Sequence, residues 1–360
     1  MILNFFWTGF TIFAKSMNEI KHYTIPVFVP EMACPFQCAF CNQKKISGHY
    51  LAPDFSQTDE TIRRYLRSFK QNSRFVEVGF FGGTFTGIPT EVQEGYLKVV
   101  QPYLKTGQVM GIRLSTRPDY IDEQVLTRLK KYNVSTIELG AQSLNDEVLK
   151  ASFRGHTAHH VKIASEQIKS FGFDLGLQMM IGLPHDTLDK SIETAKKIIA
   201  FGANNTRIYP SLVIKNTAMH RWYLQGKYKP LSIEEAVSWS KILLPLFENN
   251  GVKVIRLGLH PSEGLLNGSE LVAGPFHPSF RELVLTEIWS EKLQTACSDF
   301  PDSSSLEIQV SPKEINVAIG YKAVNKKKLQ QKFKNVIFTP NNNIISGKFK
   351  IRNLDNSTCF

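Results

Sequence analysis

The chain has 360 residues, of which 42% are hydrophobic and 21% are charged. This composition is typical of folded globular proteins and excludes a largely disordered chain. The formal net charge of +11 suits a polyanionic partner such as RNA, DNA or an anionic membrane, and it equally suits a solvated surface rich in lysine.

The N-terminal segment is strongly apolar over Leu3–Ala14 and is followed by Lys15 and Met17. A secretory signal has positive charge before its apolar run, and a membrane span needs about twenty residues. Neither pattern is present here. We therefore expect functional translation to begin at Met17, residues 1–16 to be a dispensable extension, and the protein to be cytoplasmic without a membrane partner. A loss of membrane association on deleting this extension would identify Leu3–Ala14 as an anchor instead.

Strand-like and helix-like segments alternate along most of the chain. The predicted strands are Ile25–Val29, Phe75–Phe81, Val109–Leu114, Val134–Leu139, Asp174–Ile181, Thr206–Val213 and Val252–Leu259. The predicted helices are Ser56–Asn72, Glu91–Leu104, Asp122–Lys131, Thr157–Phe171, Leu188–Phe201 and Ile233–Asn249. The segment Lys215–Lys229 reads as a loop. Repeated βα units favour an α/β fold with a parallel sheet that curls into a barrel or part of one.

The composition changes after Phe300, where serine- and asparagine-rich stretches appear around a predicted strand, Leu306–Val310. We therefore expect a core over residues 17–301 and a small C-terminal α/β appendage over residues 302–360. The densest basic run of the chain lies in this appendage. It consists of Lys326, Lys327 and Lys328, followed by Lys332 and Lys334.

Three cysteines follow the first predicted strand with the spacing C-x3-C-x2-C, at Cys34, Cys38 and Cys41. Thiolates are soft ligands that suit iron–sulfur clusters and zinc. Three thiolates leave one metal position open, and an open position on iron is a place where a substrate can bind. The alternatives are a structural zinc site completed by His22 or His49, and a disulfide.

Further motifs follow other predicted strands. Loops after the strands carry function in parallel α/β folds, and their shared edge brings these motifs together. The motifs are Gly82-Gly83-Thr84, Ser115-Thr116-Arg117-Pro118-Asp119-Tyr120, Glu138-Leu139-Gly140-Ala141-Gln142-Ser143, Arg154-Gly155-His156-Thr157 and Gln178-Met179-Met180-Ile181-Gly182-Leu183-Pro184.

The cysteine spacing and these motifs together resemble the radical S-adenosylmethionine (SAM) enzymes. Within that superfamily they resemble the core shared by the Elongator catalytic subunit and the oxygen-independent coproporphyrinogen oxidases, over roughly residues 24–290. The resemblance implies a partial (β/α)6-type TIM barrel and a [4Fe–4S] cluster held by the three cysteines. It also implies a SAM that is reductively cleaved to a 5′-deoxyadenosyl radical, with electrons from a flavodoxin- or ferredoxin-type reductant.

The resemblance also implies positions for SAM-binding residues. The aromatic residue before the third cysteine packs near the adenine, the glycine motif binds the amino group, and the arginine pairs with the carboxylate. The implied cofactor-binding residues are Phe40, Gly82, Gly83, Thr84, Ser115, Gln142, Arg154 and Gln178. Ser115 stands where the Elongator branch has a glutamate, and Gln178 stands where the oxidases have a ribose-binding acid.

The substrate is not identified by these motifs, and neither is a catalytic residue. Tyr209, His260 and His277 are candidates for hydrogen or proton transfer, although packed structural roles suit them better. The likeness to a tRNA-modifying branch and the net charge make tRNA or another RNA one candidate substrate, and the other is a small molecule, with the basic surface simply solvated. One alternative is a porphyrin- or haem-handling enzyme, although Asn42 follows Cys41 where the oxidases have another cysteine. A second alternative is a non-catalytic nucleic-acid-binding module with structural zinc.

Overall fold

A computed structural model describes residues 21–30, 37–42, 45–46, 48, 51–69 and 74–355. Within these residues the main sheet has seven strands in the order β1-β2-β3-β4-β5-β6-β8, and every neighbouring pair is parallel. Its strands are β1 (Lys21–Val29), β2 (Arg74–Gly82), β3 (Gly111–Thr116), β4 (Val134–Gln142), β5 (Asp174–Ile181), β6 (Asn205–Pro210) and β8 (Lys253–Leu257). Strand β7 (Val213–Ile214) pairs instead with β9 (Leu271–Ala273), antiparallel.

Helices connect successive strands of the sheet and cover it. The first six are α1 (Phe55–Ser68), α2 (Thr90–Lys105), α3 (Glu123–Lys131), α4 (Asp146–Ala151), α5 (Ala158–Ser170) and α6 (Leu188–Ala200). The next four are α7 (Ala218–Leu224), α8 (Ile233–Glu248), α9 (Glu263–Leu266) and α10 (Phe280–Cys297). Sequential strand order with helical crossovers is the arrangement of a partial (β/α) barrel, so the predicted fold class is confirmed.

Local sequence explains where these elements begin and how they pack. Asp54, Thr157 and Ser232 each cap a helix, and each accepts a hydrogen bond from the backbone of the third helical residue. Strands β4 and β5 have mostly buried residues along their whole length, as expected for parallel strands covered on both faces. The sheet therefore forms a rigid core that fixes the loops at its carboxyl edge.

Two element predictions are wrong in detail. The predicted strand Thr206–Val213 is broken, because β6 ends at Pro210 and Val213 pairs with Ala273 instead. The predicted loop Lys215–Lys229 contains helix α7, whose first turn is capped by the Thr217 side chain accepting from the His220 backbone.

The C-terminal part contains a three-stranded sheet of order β11-β10-β12, with β10 (Ser305–Val310), β11 (Asn335–Pro340) and β12 (Phe349–Asn353). Two helices, α11 (Ile315–Ile319) and α12 (Val324–Gln330), lie between β10 and β11. Helix α10 contributes to both cores: Val284 packs with the barrel, while Leu293 packs with the appendage. The division at residue 301 remains a prediction.

Candidate active site

The cysteine loop is tied to two other segments at the carboxyl edge of the sheet. The Ala39 N–H donates to the Ser152 carbonyl at 2.9 Å, and the Met219 N–H donates to the Ala39 carbonyl at 2.9 Å. Cys38 is buried and Cys41 is half-buried, and the Cys41 N–H donates to the Cys38 carbonyl at 3.0 Å. Cys34 lies outside the described residues. These backbone bonds hold the two described cysteines in fixed positions at the rim.

Phe40 fills the space behind this loop. Its ring is buried in a small cluster that includes Met180, Leu183 and Met219. An aromatic side chain anchors a short loop well, because it buries a large apolar area with few torsional freedoms. Phe40 therefore positions the cysteines on either side of it.

The residues Gly82, Gly83 and Thr84 follow one another at the end of β2 and line the same cleft as the cysteine loop; they are called the glycine ledge below. The Gly83 N–H donates to the Val29 carbonyl at 3.0 Å, and Gly82 has φ +119°. A Cβ on Gly82 would lie 2.7 Å from the same carbonyl oxygen. Gly82 therefore excludes a side chain for both conformational and steric reasons, because the backbone at the end of β1 packs directly against it.

Polar side chains from β4, β5 and the segment after α4 face this ledge. The Gln178 Nε2 donates to the Gln142 Oε1 at 3.1 Å, and Gln142 itself has φ +64° at a register shift of β4. Arg154 donates from Nη2 to the Gly140 carbonyl at 2.7 Å and from Nη1 to the Cys38 Sγ at 3.5 Å. Its Nε is buried without a hydrogen-bond partner among the residues that the structure describes.

A single cleft joins these groups. Every predicted cofactor-binding residue lines it, and so do the two described cysteines. The full lining is Cys38, Phe40, Cys41, Gly82, Gly83, Thr84, Ser115, Thr116, Arg117, Glu138, Leu139, Gly140, Gln142, Arg154 and Gln178. Sequence motifs that lie up to 140 positions apart in the chain thus meet in one place, as the difference between Cys38 and Gln178 shows.

Glu138 also lines the cleft, and its sequence motif predicts no role for it. Its carboxylate belongs to a buried ionic network. Arg207 donates from Nε to Glu138 Oε2 at 2.6 Å, and Arg113 donates to the other Glu138 oxygen. Arg113 also contacts Glu77 at 3.1 Å. Burial alone would raise the pKa of Glu138, but the Arg207 and Arg113 charges outweigh it and hold that pKa below its usual range.

A second buried group lies behind Arg154. His156 is 4% exposed, and its Nε2 is 3.2 Å from the Ala141 carbonyl. Burial, with the nearby charges of Arg154 and Arg117, lowers the pKa of His156 to about 3. The imidazole is therefore neutral at physiological pH, which avoids a third positive charge beside the two arginines.

The other candidate residues are not among those that line this cleft. His260 contacts Arg256, and burial with that arginine lowers its pKa. His277 accepts a hydrogen bond from the Ser279 N–H and meets the Tyr321 ring edge-on. Tyr209 packs beside the Phe40 cluster, with its hydroxyl 3.5 Å from Arg207 Nη1. Tyr209 is therefore close to the cleft through the Phe40 cluster without lining it.

One of the two zinc alternatives is excluded by the fold. His22 lies near the start of β1, whereas the cysteine loop follows the end of that strand at Val29. Seven residues of extended chain separate them by roughly 23 Å. His22 contacts the Phe75 ring instead. His49 lies outside the described residues.

The residues present fit an iron–sulfur cluster and SAM. The described cysteines offer soft sulfur donors, and Arg154 places a positive N–H against one of them, which complements a thiolate. Across the described ranges no set of three or more His, Cys, Asp or Glu side chains is gathered for a metal, and Cys34 is outside those ranges. Gly82 and Gly83 line the cleft, and the unpaired Arg154 Nε supplies a buried donor for a ligand.

Comparisons with known proteins give the family. The radical SAM superfamily model matches residues 31–198, and the radical SAM C-terminal domain model matches residues 203–290. The chain belongs to the radical SAM superfamily. It is accordingly an enzyme of that family, as the cysteine spacing and rim motifs predicted. The family implies SAM and a [4Fe–4S] cluster as cofactors.

Relatives include tRNA uridine(34) acetyltransferases and Elongator complex protein 3. A tRNA uridine(34) acetyltransferase of Methanocaldococcus infernus is 28% identical over 193 residues, which is 47% of this chain and 36% of that protein. Elongator complex protein 3 of Saccharomyces cerevisiae is 28% identical over 191 residues, 48% of this chain and 34% of that protein. The chain thus spans about a third of the length of these curated relatives.

A solved structure supports the fold independently. The archaeal Elp3 of Methanocaldococcus infernus, with residues 1–46 deleted, superposes with a TM-score of 0.62 at 21% identity. The match covers 76% of this chain and 64% of that one. Among the described residues no helix is both long and apolar enough to cross a membrane.

Proposed function

We propose that the chain reductively cleaves SAM at a [4Fe–4S] cluster held by Cys34, Cys38 and Cys41. The observation that supports this most directly is the single cleft in which Cys38 and Cys41 face the glycine ledge and Arg154. Soft donors, an anion-binding guanidinium and open backbone are what a cluster with a bound amino acid requires.

Different residues of the cleft bind different parts of SAM. Gly82, Gly83 and Thr84 expose backbone to the amino group, and Arg154 pairs with the carboxylate. Gln142, Gln178 and Ser115 bind the ribose, since amides and hydroxyls both donate to and accept from sugar hydroxyls. Phe40 packs near the adenine.

When bound, the cluster and SAM supply one-electron cleavage that yields a 5′-deoxyadenosyl radical. The residues of the cleft orient SAM and exclude water from it. As the family resemblance implies, the electron comes from an external one-electron carrier of the flavodoxin or ferredoxin type.

Anaerobic reconstitution tests this function. We expect about four iron and four sulfide per chain, a broad visible absorption band, and formation of 5′-deoxyadenosine from SAM with dithionite. Tightly bound zinc without sulfide would support a structural zinc site instead. Haem titration tests the porphyrin alternative, and saturable haem binding would favour it.

We further propose that the substrate is tRNA or another RNA. The support is the name of the archaeal relative, a tRNA uridine(34) acetyltransferase, together with the net charge of +11. Phosphate contacts through lysine and arginine make affinity fall steeply with salt. Filter binding of tRNA at two salt concentrations should therefore show affinity tighter than micromolar at low salt and a steep loss at high salt.

The basic appendage is best tested by substitution. Deleting residues 302–360 would uncover Trp289, Leu293 and Cys297, which are buried against the appendage. Lysine-to-alanine changes in the appendage keep that core intact. If they leave tRNA affinity and its salt dependence unchanged, the appendage has no role in holding RNA.

A further inference from the structure

A second cavity lies in the C-terminal part of the chain, between helices α10 and α12. Its volume is about 390 Å³, within the usual range for small-molecule sites. It is separate from the SAM cleft and shares no residue with it. Its lining includes Leu293, Asn325, Lys328, Leu329, Lys332 and Phe333.

The inner wall of this cavity is apolar, and one of its residues, Asn325, has an unsatisfied buried acceptor. Leu293, Leu329 and Phe333 supply the apolar surface. Asn325 is 2% exposed, and its Nδ2 donates to the carbonyls of Thr286 and Ala318 at 3.0 and 3.2 Å. Two carbonyl partners fix the orientation of the amide.

The Oδ1 of Asn325 is therefore the free end of that amide, and it has no hydrogen-bond partner within the described part of the chain. A buried acceptor without a donor is costly. Oδ1 itself has almost no accessible surface, so a ligand N–H satisfies it only after the lining side chains move apart, and an aliphatic acid or an acyl chain cannot satisfy it.

The mouth of the cavity is positively charged. Lys328 reaches it with Nζ 3.5 Å from the Ser290 hydroxyl. Lys332 lies over the Phe333 ring and 3.3 Å from the exposed Asp302 carboxylate. Both lysines are exposed, so both are able to reorient toward a phosphate.

We propose that this cavity binds a nucleoside phosphate. The base enters between Leu293, Leu329 and Phe333 and donates an N–H to Asn325, while Lys328 and Lys332 contact the phosphate. The ligand is a free mononucleotide or an unstacked nucleotide of an RNA strand. The second source rests on the proposed RNA substrate, whereas the cavity chemistry does not.

The test uses the reconstituted protein saturated with SAM, so that the cleft at Arg154 is already filled. Anaerobic titration calorimetry is run with AMP, UMP, ribose 5-phosphate, a 5′-phosphorylated oligoribonucleotide and tRNA. We expect AMP or UMP to bind at least tenfold more tightly than ribose 5-phosphate, which has no base. Tighter binding of the oligonucleotide than of the mononucleotides identifies the strand as the source, and the reverse order identifies the free nucleotide.

Matched variants locate the site. Lys328→Ala should weaken binding about tenfold through loss of a charged contact, whereas Lys327→Ala should not change it. Lys327 is an exposed lysine on the same helix and does not line the cavity. Gln294→Trp, at an exposed position on the lining, should block binding without disturbing the buried core.

Equal losses in Lys327→Ala and Lys328→Ala would overturn the proposal, because they would indicate a diffuse basic surface. Equal affinity for AMP and ribose 5-phosphate, or no binding of any of these ligands, would overturn it as well. Formation of 5′-deoxyadenosine without RNA is measured in parallel. If these variants still form 5′-deoxyadenosine while ligand binding is lost, the proposed cavity site is tested separately from the proposed SAM chemistry.

Discussion

The guanidinium of Arg154 lies against the sulfur of Cys38, with Nη1 3.5 Å from Sγ. The same side chain is held from the other side by the Gly140 carbonyl at 2.7 Å. Arg154 thus joins the cysteine loop after β1 to strand β4. Its buried Nε has no hydrogen-bond partner among the described residues and is available to a ligand.

Replacement of Arg154 should therefore weaken SAM binding. We expect Arg154→Ala to cost about 1.5–3 kcal/mol, the range for a hydrogen bond to a charged group. Arg154→Lys should recover only part of this, because an ammonium lacks the planar pair of donors. SAM affinity on the reconstituted protein is the measurement, with the exposed Lys150→Ala as control. Equal affinities in wild type and Arg154→Ala would remove Arg154 from the site.

The three cysteines of the loop should each be required for the cluster. We expect Cys34→Ala, Cys38→Ala and Cys41→Ala to lose bound iron and SAM cleavage while remaining folded. The control is Cys297→Ala, whose cysteine lies in the appendage core. Iron and sulfide content and far-UV circular dichroism are measured together. A triple variant that kept its full iron content would contradict the assignment.

A side chain at Gly140 should disturb the cleft without unfolding the protein. An added Cβ would lie 2.9 Å from Arg154 Nη2 and 3.0 Å from Gln142 Nε2. These are the ends of flexible side chains, so Gly140→Ala should fold while displacing both from the cleft. We expect weaker SAM binding with little change in the free energy of unfolding. Unchanged SAM affinity would mean that neither displaced side chain contacts SAM.

The strands of the sheet and the residues that line the cleft were predictable from the sequence. The hydrogen bonds and ion pairs between side chains were not. Hydrophobic runs predicted the strands, and the rim motifs predicted which residues line the cleft. The pairing of Glu138 with Arg113 and Arg207 was not predictable, because it depends on which strands are neighbours and which positions face inward. Helix α7 was missed because its seven residues are too few for a clear periodicity.

Acid should destabilise the protein through His156. Its pKa is about 3 in the folded protein against an ordinary 6.5, so the unfolded chain binds a proton that the folded chain does not. The stabilising effect is full above pH 6.5 and is lost as the pH falls toward 3, at about 1.4 kcal/mol per pH unit.

The comparison with His156→Gln isolates this contribution. The free energy of unfolding of the wild type minus that of the variant should decrease as the pH is lowered from 6 to 4. The exposed His159→Gln serves as the control for losing one imidazole. Urea denaturation at several pH values gives the slope. A difference that is independent of pH would show that His156 does not resist protonation.

Loss of the Glu138 charge should be strongly destabilising. Glu138 is 3% exposed, and Glu138→Gln would leave the guanidinium of Arg207 without a carboxylate partner, while Arg113 keeps Glu77. Breaking a buried ion pair from one side costs about 3–5 kcal/mol, because the remaining charge stays buried. By contrast, Glu147→Gln removes an exposed carboxylate that pairs with Lys190, and should cost about 0–1 kcal/mol. Chemical denaturation measures both. Equal effects of the two substitutions would mean that water reaches Arg207 and that the network at the cleft is solvated.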